Sequence, residues 1–319
     1  MGLLRQIVVA ALKGIFVLAS VPVGIQPAFP QSPKNDPAYS PSGDAPSTTS
    51  TSGAGYLNYP LKALKQTVPA LNGLQYDSNE NRLPSILANV AGMIGNVVPR
   101  LPNLVSREDI FHFQGSSPGE AAGGQPWNQE FRYLVLFHHN ADGTTTVEES
   151  RIDRKSHAVE SPSQAATAYG LGFAYQWLLF SAANQREFRF RYLGQQHKDG
   201  RETFVVAFAQ IPSKVKFPAG FPSEGKLVPF FFQGVFWVDQ STYDIVLLRT
   251  DLLAPVPSLQ LRRLTTELSF HPVSVHGLDT TFWLPRSVDI STIQAASVAE
   301  EVHHYSDYHL FQSTSRIVP

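Results

Sequence analysis

The sequence predicts an α+β protein built on one antiparallel β-sheet. Three observations carry that prediction. Beyond Pro102 apolar residues recur at every second position through most of the chain. The runs are joined by hairpin-length connections, which make antiparallel pairing the natural result. Only two stretches, Leu83–Val98 and Leu171–Arg186, combine helical length with a helix-like apolar content.

The elements follow in chain order. Met1–Lys13 carries Arg5 and Lys13 and no acid, and Gly14–Ile25 is a short apolar run interrupted by Pro22. A basic start and a short apolar stretch form the pattern of a secretory signal peptide over residues 1–25. Val17 and Ala19 fit the small-residue cleavage rule. The alternative is an uncleaved anchor over Ile7–Ile25, which places Lys13 inside the membrane at a cost of about 2.5 kcal/mol or more. Residues 26–55 are almost all Pro, Ser, Thr, Gly and Ala, with too little apolar surface to offset the entropy of ordering. They read as a disordered linker, and 56–319 reads as the folded domain.

Tyr56–Asn81 is a short helical approach in which Leu61, Leu64 and Val68 share a face and Pro69 ends the turn. Leu83–Val98 is the clearest helix. Pro84 suits a first helical position, and Leu83, Leu87, Val90, Ile94 and Val97 form one stripe. Pro99 and Pro102 stop it.

The strand runs are Phe131–Phe137, Thr144–Arg154, Glu187–Gly194, Thr203–Ile211, Phe230–Asp239, Ile245–Leu252, Leu261–Val275, Thr281–Ile290 and Val302–Ser315, about nine strands in all. Asn140–Gly143 and Lys198–Gly200 are turns between neighbouring runs. Leu171–Arg186 is apolar around most of a helical cylinder, so it must be buried on several sides, as inside the concavity of a curved sheet. Phe173, Trp177 and Phe180 form its aromatic ridge. Phe131–Phe137, Phe204–Phe208 and Phe230–Val238 are apolar on both faces, whereas a sheet with one wet face alternates. One face can take the Leu83–Val98 helix. The other is covered by the second helix or lines an apolar cavity.

Composition excludes several function classes. There is no cysteine, so the chain has no disulfide, no thiol nucleophile and no thiolate ligand. The net charge is −1 and the Lys and Arg residues are scattered, so no basic stripe exists for nucleic acid. Gly115-Ser116-Ser117-Pro118-Gly119 matches G-x-S-x-G, but a flexible Gly-Ala loop follows it where a nucleophile elbow needs a helix. Gly170-Leu171-Gly172 lacks the third glycine of a dinucleotide site. His303, Tyr305, Asp307 and His309 alternate and would share a strand face. His303 and His309 lie about 20 Å apart on a regular strand, too far to share a metal ion. A half-exposed polar face is the simpler expectation. Glu149 and Arg151 read as a surface ion pair, and Asp239 and Asp244 as turn residues. No catalytic residue, metal site or cofactor is expected.

One stretch goes beyond generic strands. Gly234-Val-Phe-Trp-Val-Asp239, Thr242 and Ile245-Val-Leu-Leu248 are followed by Leu284-Pro285 and a late Tyr305-Ser-Asp-Tyr308. This pattern resembles outer-membrane lipoprotein-sorting proteins of the LolA/LolB type, over roughly Leu83–Pro319. The resemblance implies a half-barrel sheet, helices on its concave side and a hydrophobic cavity between them. It also implies a non-catalytic carrier that takes a lipid or a lipoprotein acyl chain, with an envelope protein as a further partner. The residues expected to line the cavity are Phe173, Trp177, Phe180, Phe190, Phe208, Phe236 and Trp237. The competing expectation is a structural or interaction module of the cell envelope with a filled core.

Overall fold

The period-two runs assemble into a single open antiparallel sheet of eleven strands, against the expected nine or so. The computed structural model describes residues 55–115, 127–139, 145–152, 179–216, 218–223 and 226–311. The expected signal peptide, the expected linker up to residue 54, the expected loop at Ser116-Ser117, the expected turn Asn140–Gly143, Phe173 and Trp177 lie outside those residues. Three helices come first or nearly so: α1 (Gly55–Asn58), α2 (Leu61–Thr67) and α3 (Leu83–Val97). The strands are β1 (Gln75–Tyr76), β2 (Leu104–Gly115), β3 (Trp127–His139), β4 (Thr145–Ile152), β5 (Phe188–Lys198), β6 (Arg201–Gln210), β7 (Ala219–Ser223), β8 (Lys226–Phe230), β9 (Phe232–Asp239), β10 (Ile245–Leu252), β11 (Leu261–Ser274), β12 (Thr281–Gln294) and β13 (Ser297–Leu310). The sheet order is β1-β5-β6-β9-β10-β11-β12-β13-β2-β3-β4, and β7 and β8 pair separately. None of the described helices is long and apolar enough to cross a membrane.

Turn chemistry sets the hairpins. Asp199 and Gly200 both have positive φ, 48° and 78°, the two-residue turn whose twist matches β5 and β6. Asp239 Oδ1 accepts the backbone N–H groups of Ser241 at 2.7 Å and Thr242 at 2.9 Å, which closes the β9–β10 turn. Gly234, in the middle of β9, faces a close approach. A Cβ there would clash with the Arg249 carbonyl oxygen on β10 and meet the Phe208 ring on β6 at 2.7 Å, so only glycine fits between these neighbours.

The two-faced strands are covered from both sides, but by elements other than those expected. On one face α3 contributes Ile86, Val90 and Ile94 to a core with Phe208, Phe236, Leu248 and Leu268. On the other, Tyr56, Leu64, Val68, Leu71 and Leu74 pack on Leu193, Val205, Ala207, Val235, Trp237 and Leu247. The helices therefore do not gather on one concave side. The N-terminal segment through α1 and α2 covers the face expected either to take a second long helix or to line an apolar cavity.

That second helix is not what the described part of Leu171–Arg186 forms. Leu179–Asn184 is a chain of turns and bends, and Gln185–Glu187 is a 3-10 helix. The Asn184 N–H bonds to the Ser181 carbonyl at 3.0 Å, so polar turn residues override the apolar content. Gln185 Nε2 then donates to the Leu87 carbonyl on α3 at 2.8 Å and to the Phe180 carbonyl at 3.0 Å, which seats Phe180 in the core.

The C-terminal strand also departs from expectation. The register shifts between Ser306 and His309, and Asp307 takes a positive φ of 54°. This bulge ends the alternation, so Tyr308 follows His303 and Tyr305 into the interior in place of Asp307. His303 is only 1 % exposed, which overturns the half-exposed polar face.

Candidate functional site

Two places in the fold carry chemistry: an apolar cleft at one end of the sheet and a buried charge network at the other.

The cleft opens where β5 begins and β6 and β10 end. Its volume is about 630 Å³, and its walls are Ile211 and Pro212, Val228 to Phe231, and Leu253 to Ser258, with Arg189 at the margin. Short backbone bonds hold the three loops. Leu253 N donates to the Phe231 carbonyl at 2.7 Å, Ile211 N to Glu187 at 2.8 Å, and Val256 N to Leu261 at 2.8 Å. Pro212, Pro229, Pro255 and Pro257 remove N–H donors from the wall. The lining offers apolar side chains and few donors, within the size range of ligand pockets, about 300–1,000 Å³. Its floor runs into the main core through Phe230 and Val256.

The aromatic residues expected to line a cavity are partly brought together. Phe180 lies 4.4 Å from Phe236 in a stacked pair and 5.0 Å from Phe208 edge-on. Phe190 reaches Phe180 at 6.1 Å and Phe236 at 6.3 Å. Phe180, Phe208 and Phe236 are 0 % exposed, so as packed they offer no surface to a ligand. Trp237 does not join them. Successive strand residues point to opposite faces, and its indole packs under α2, where Nε1 donates to Gln196 Oε1 at 2.9 Å.

The charge network joins β2, β3, β4 and β13. Arg151 grips Glu108 with two bonds, Nε to Oε2 at 2.6 Å and Nη2 to Oε1 at 2.8 Å. The Tyr305 hydroxyl donates to the same Oε1 at 2.8 Å. His303 Nδ1 lies 2.9 Å from Glu108 Oε1, and its Nε2 lies 3.3 Å from Glu301 Oε2. Glu301 Oε1 is 3.1 Å from His112 Nδ1, and His112 Nε2 is 2.9 Å from Gln129 Oε1. Trp127 stacks on the His112 ring at 4.8 Å. The Tyr133 hydroxyl donates to Glu149. The expected surface pair of Glu149 and Arg151 is thus replaced by a buried Glu108–Arg151 pair. Arg151 on β4 reaches across β3 to Glu108 on β2, a carboxylate buried away from water.

Burial pushes the Glu108 carboxyl up, but Arg151 and the hydrogen bonds from His303 and Arg151 outweigh it and hold the group far below the ordinary carboxylate range. Burial lowers the His303 value, yet its bonds to Glu108 and Glu301 prevail and leave it raised. Burial, then the neighbouring Glu149, pushes the Tyr133 hydroxyl well up. Glu108, His112, Glu301 and His303 are at most 3 % exposed, so these groups tie strands together. Among the described residues no group of three or more His, Cys, Asp or Glu side chains is arranged to hold a metal ion. His276 and His309 meet only as a backbone bridge.

Neither site announced itself in the sequence. Prolines scattered through Ile211–Pro222, Lys226–Phe231 and Leu252–Leu259 were the one sign of the cleft. The network's sign was acid and histidine at inward positions of strands.

No protein-family model and no curated protein matches the chain. Among solved structures it is similar to a DUF1329 family protein from Desulfovibrio piger, at 13% identity over 73% of this chain and 94% of that one, TM-score 0.39. It is also similar to a putative outer membrane lipoprotein-sorting protein domain from Vibrio parahaemolyticus, at 13% identity over 67% of this chain and 89% of that one, TM-score 0.35. A third similar structure is MucB in complex with the periplasmic part of MucA, at 10% identity over 69% and 93%, TM-score 0.18.

Proposed function

We propose that this chain is an exported, non-catalytic binding protein or carrier for a hydrophobic ligand, a lipid or a lipid anchor, in the cell envelope. Residues 1–25 direct export, and residues 26–55 tether the folded domain. The observation that carries the reading is the cleft of about 630 Å³ with its apolar, proline-rich wall. An apolar chain laid there loses contact with water without stranding wall donors. The filled aromatic region around Phe180 serves as its rigid backing, and a ligand that reached Phe190 would have to displace packed rings.

The test is native mass spectrometry of gently purified protein, beside titration with a fluorescent fatty acid. Co-purified lipid, or saturable probe uptake competed by unlabelled fatty acid, supports the reading. A ligand-free protein that also takes up no probe sinks it. The second reading, an interaction module of the envelope, draws on the close packing of Phe180, Phe208 and Phe236. It would then stand alone.

A further inference from the structure

The three strands β2, β3 and β4 form a wing whose only strand-to-strand join to the rest of the described sheet is the β13–β2 ladder. The charge network lies across that join. Glu108 and His112 come from β2, Glu301, His303 and Tyr305 from β13, and Arg151 from β4.

With Glu108 and Glu301 both ionised, the hydrogen bonds around His303 call for one state of its ring. Both nitrogens of His303 face carboxylate oxygens, Glu108 on one side and Glu301 on the other. An ionised carboxylate only accepts, so the ring satisfies both contacts only when both nitrogens carry hydrogen. That makes it an imidazolium. The charged and titratable groups around it agree. β2 supplies Glu108 and His112, β4 supplies Arg151 and Glu149, β3 supplies Tyr133, β13 supplies Glu301 and Tyr305, and Asp289 on β12 adds a further carboxylate from the neighbouring strand. Acids outnumber bases in this set, so the proton on His303 brings the cluster toward neutrality.

We propose that His303 is a buried proton latch: as an imidazolium clamped between Glu108 and Glu301 it fastens the β2–β4 wing to β13, and losing that proton loosens the wing. The folded state raises the affinity of His303 for its proton above the ordinary value of 6.5. The latch is therefore fully closed below pH 6.5 and is lost as pH rises through the higher value that His303 has in the fold. An exported protein meets the pH of its surroundings directly, which gives such a latch something to sense.

Nitrogen-resolved NMR of the histidine rings reads the proton without any variant. Both His303 ring nitrogens should be protonated at pH 6.5; a neutral ring there overturns the proposal. Hydrogen exchange reads the wing. Corrected for intrinsic rates, exchange over 104–115 and 297–310 should rise about tenfold per pH unit between pH 6.5 and the His303 midpoint, then level off. Exchange that stays flat through the His303 titration also overturns it. Glu301→Gln keeps the contact with a neutral partner and should move the NMR midpoint down; an unmoved midpoint counts against the clamp.

Discussion

The two ends of the sheet solve the same problem by opposite means. At the β5-β6-β9-β10 end every residue of β9 is buried, and apolar side chains make up most of both faces, with Gln233, Asp239 and Asp251 among them. At the β13-β2-β3-β4 end the interior holds Glu108, Glu301, His112 and His303, with Arg151 nearly buried beside them. Apolar packing is non-directional and grades smoothly with area. A buried charge network is directional and fails sharply, because a lone charge left inside is worse than none. The first end should therefore yield gradually to mutation, and its pH response should be confined to acid, where Asp239 takes up a proton; burial pushes its carboxyl up, but the bonds from Arg201 and the turn backbone outweigh that and hold it low. The second should break at single sites and at the edges of a pH range.

The largest effect is expected at Arg151. Arg151→Met strips buried Glu108 of its two-pronged cation, leaves Oε2 without its donor and His303 as the neighbouring cation, and about 3–5 kcal/mol of stability should go. Pairing it with Glu108→Leu removes the orphaned charge and should recover most of that loss in a denaturant melt. Equal losses in the single and double variants would mean that the pair does not hold this end together. Acid probes the same carboxylate. Its value is depressed in the fold, so its contribution is present above the ordinary 4.5 and is lost as pH falls below that toward the folded-state value. Urea midpoints should fall with acid below pH 4.5 in the parent, and with a shallower slope in the double variant.

A smaller loss is expected at the apolar end, where Gln196 is one of the polar groups that pin the packing. Gln196 donates to the carbonyls of Ala70 at 2.9 Å and Asn72 at 2.7 Å and accepts from Trp237. Trp237→Phe keeps most of the buried ring and strands one amide oxygen, a cost of about 1–3 kcal/mol with little dependence on pH. A pH-dependent loss would erase the contrast between the two ends.

The same contrast decides what could be read from the chain. Helix α3 and the β5–β6 and β9–β10 hairpins were readable because their inward residues are apolar and their turns carry Asp and Gly. Strand β2 was not among the expected strands. Its inward positions are Leu104, Ser106, Glu108, Ile110 and His112, so the period of two is present but written in polar letters. The network was unreadable for a related reason. Its contacts between β2 and β13 span 189 to 197 residues, and the β13–β2 register places Tyr305 opposite Glu108 and Glu301 opposite His112. Three loops from separate hairpins form the cleft, and no local pattern records that they meet. Phe236 and Trp237 are neighbours on one strand but pack in separate clusters on opposite faces, which the aromatic content of the run does not record.

The smallest effect on stability is expected at the cleft, and it separates binding from folding. Ala254 lies on the cleft wall in the loop after β10 and is exposed, so a large side chain there displaces water and not core. Ala254→Trp should change stability by no more than about 0.5 kcal/mol, as surface substitutions do. If the cleft takes the apolar ligand, the indole fills part of that space and uptake of a fluorescent fatty acid should drop at least tenfold. The charged end supplies the control. The Arg151→Met, Glu108→Leu double variant alters the far side of the sheet and should bind the probe as the parent does. Loss of binding in the double variant with retention in Ala254→Trp would move the ligand site from the cleft to the wing. Retention in both would leave the cleft without a ligand and favour the interaction module.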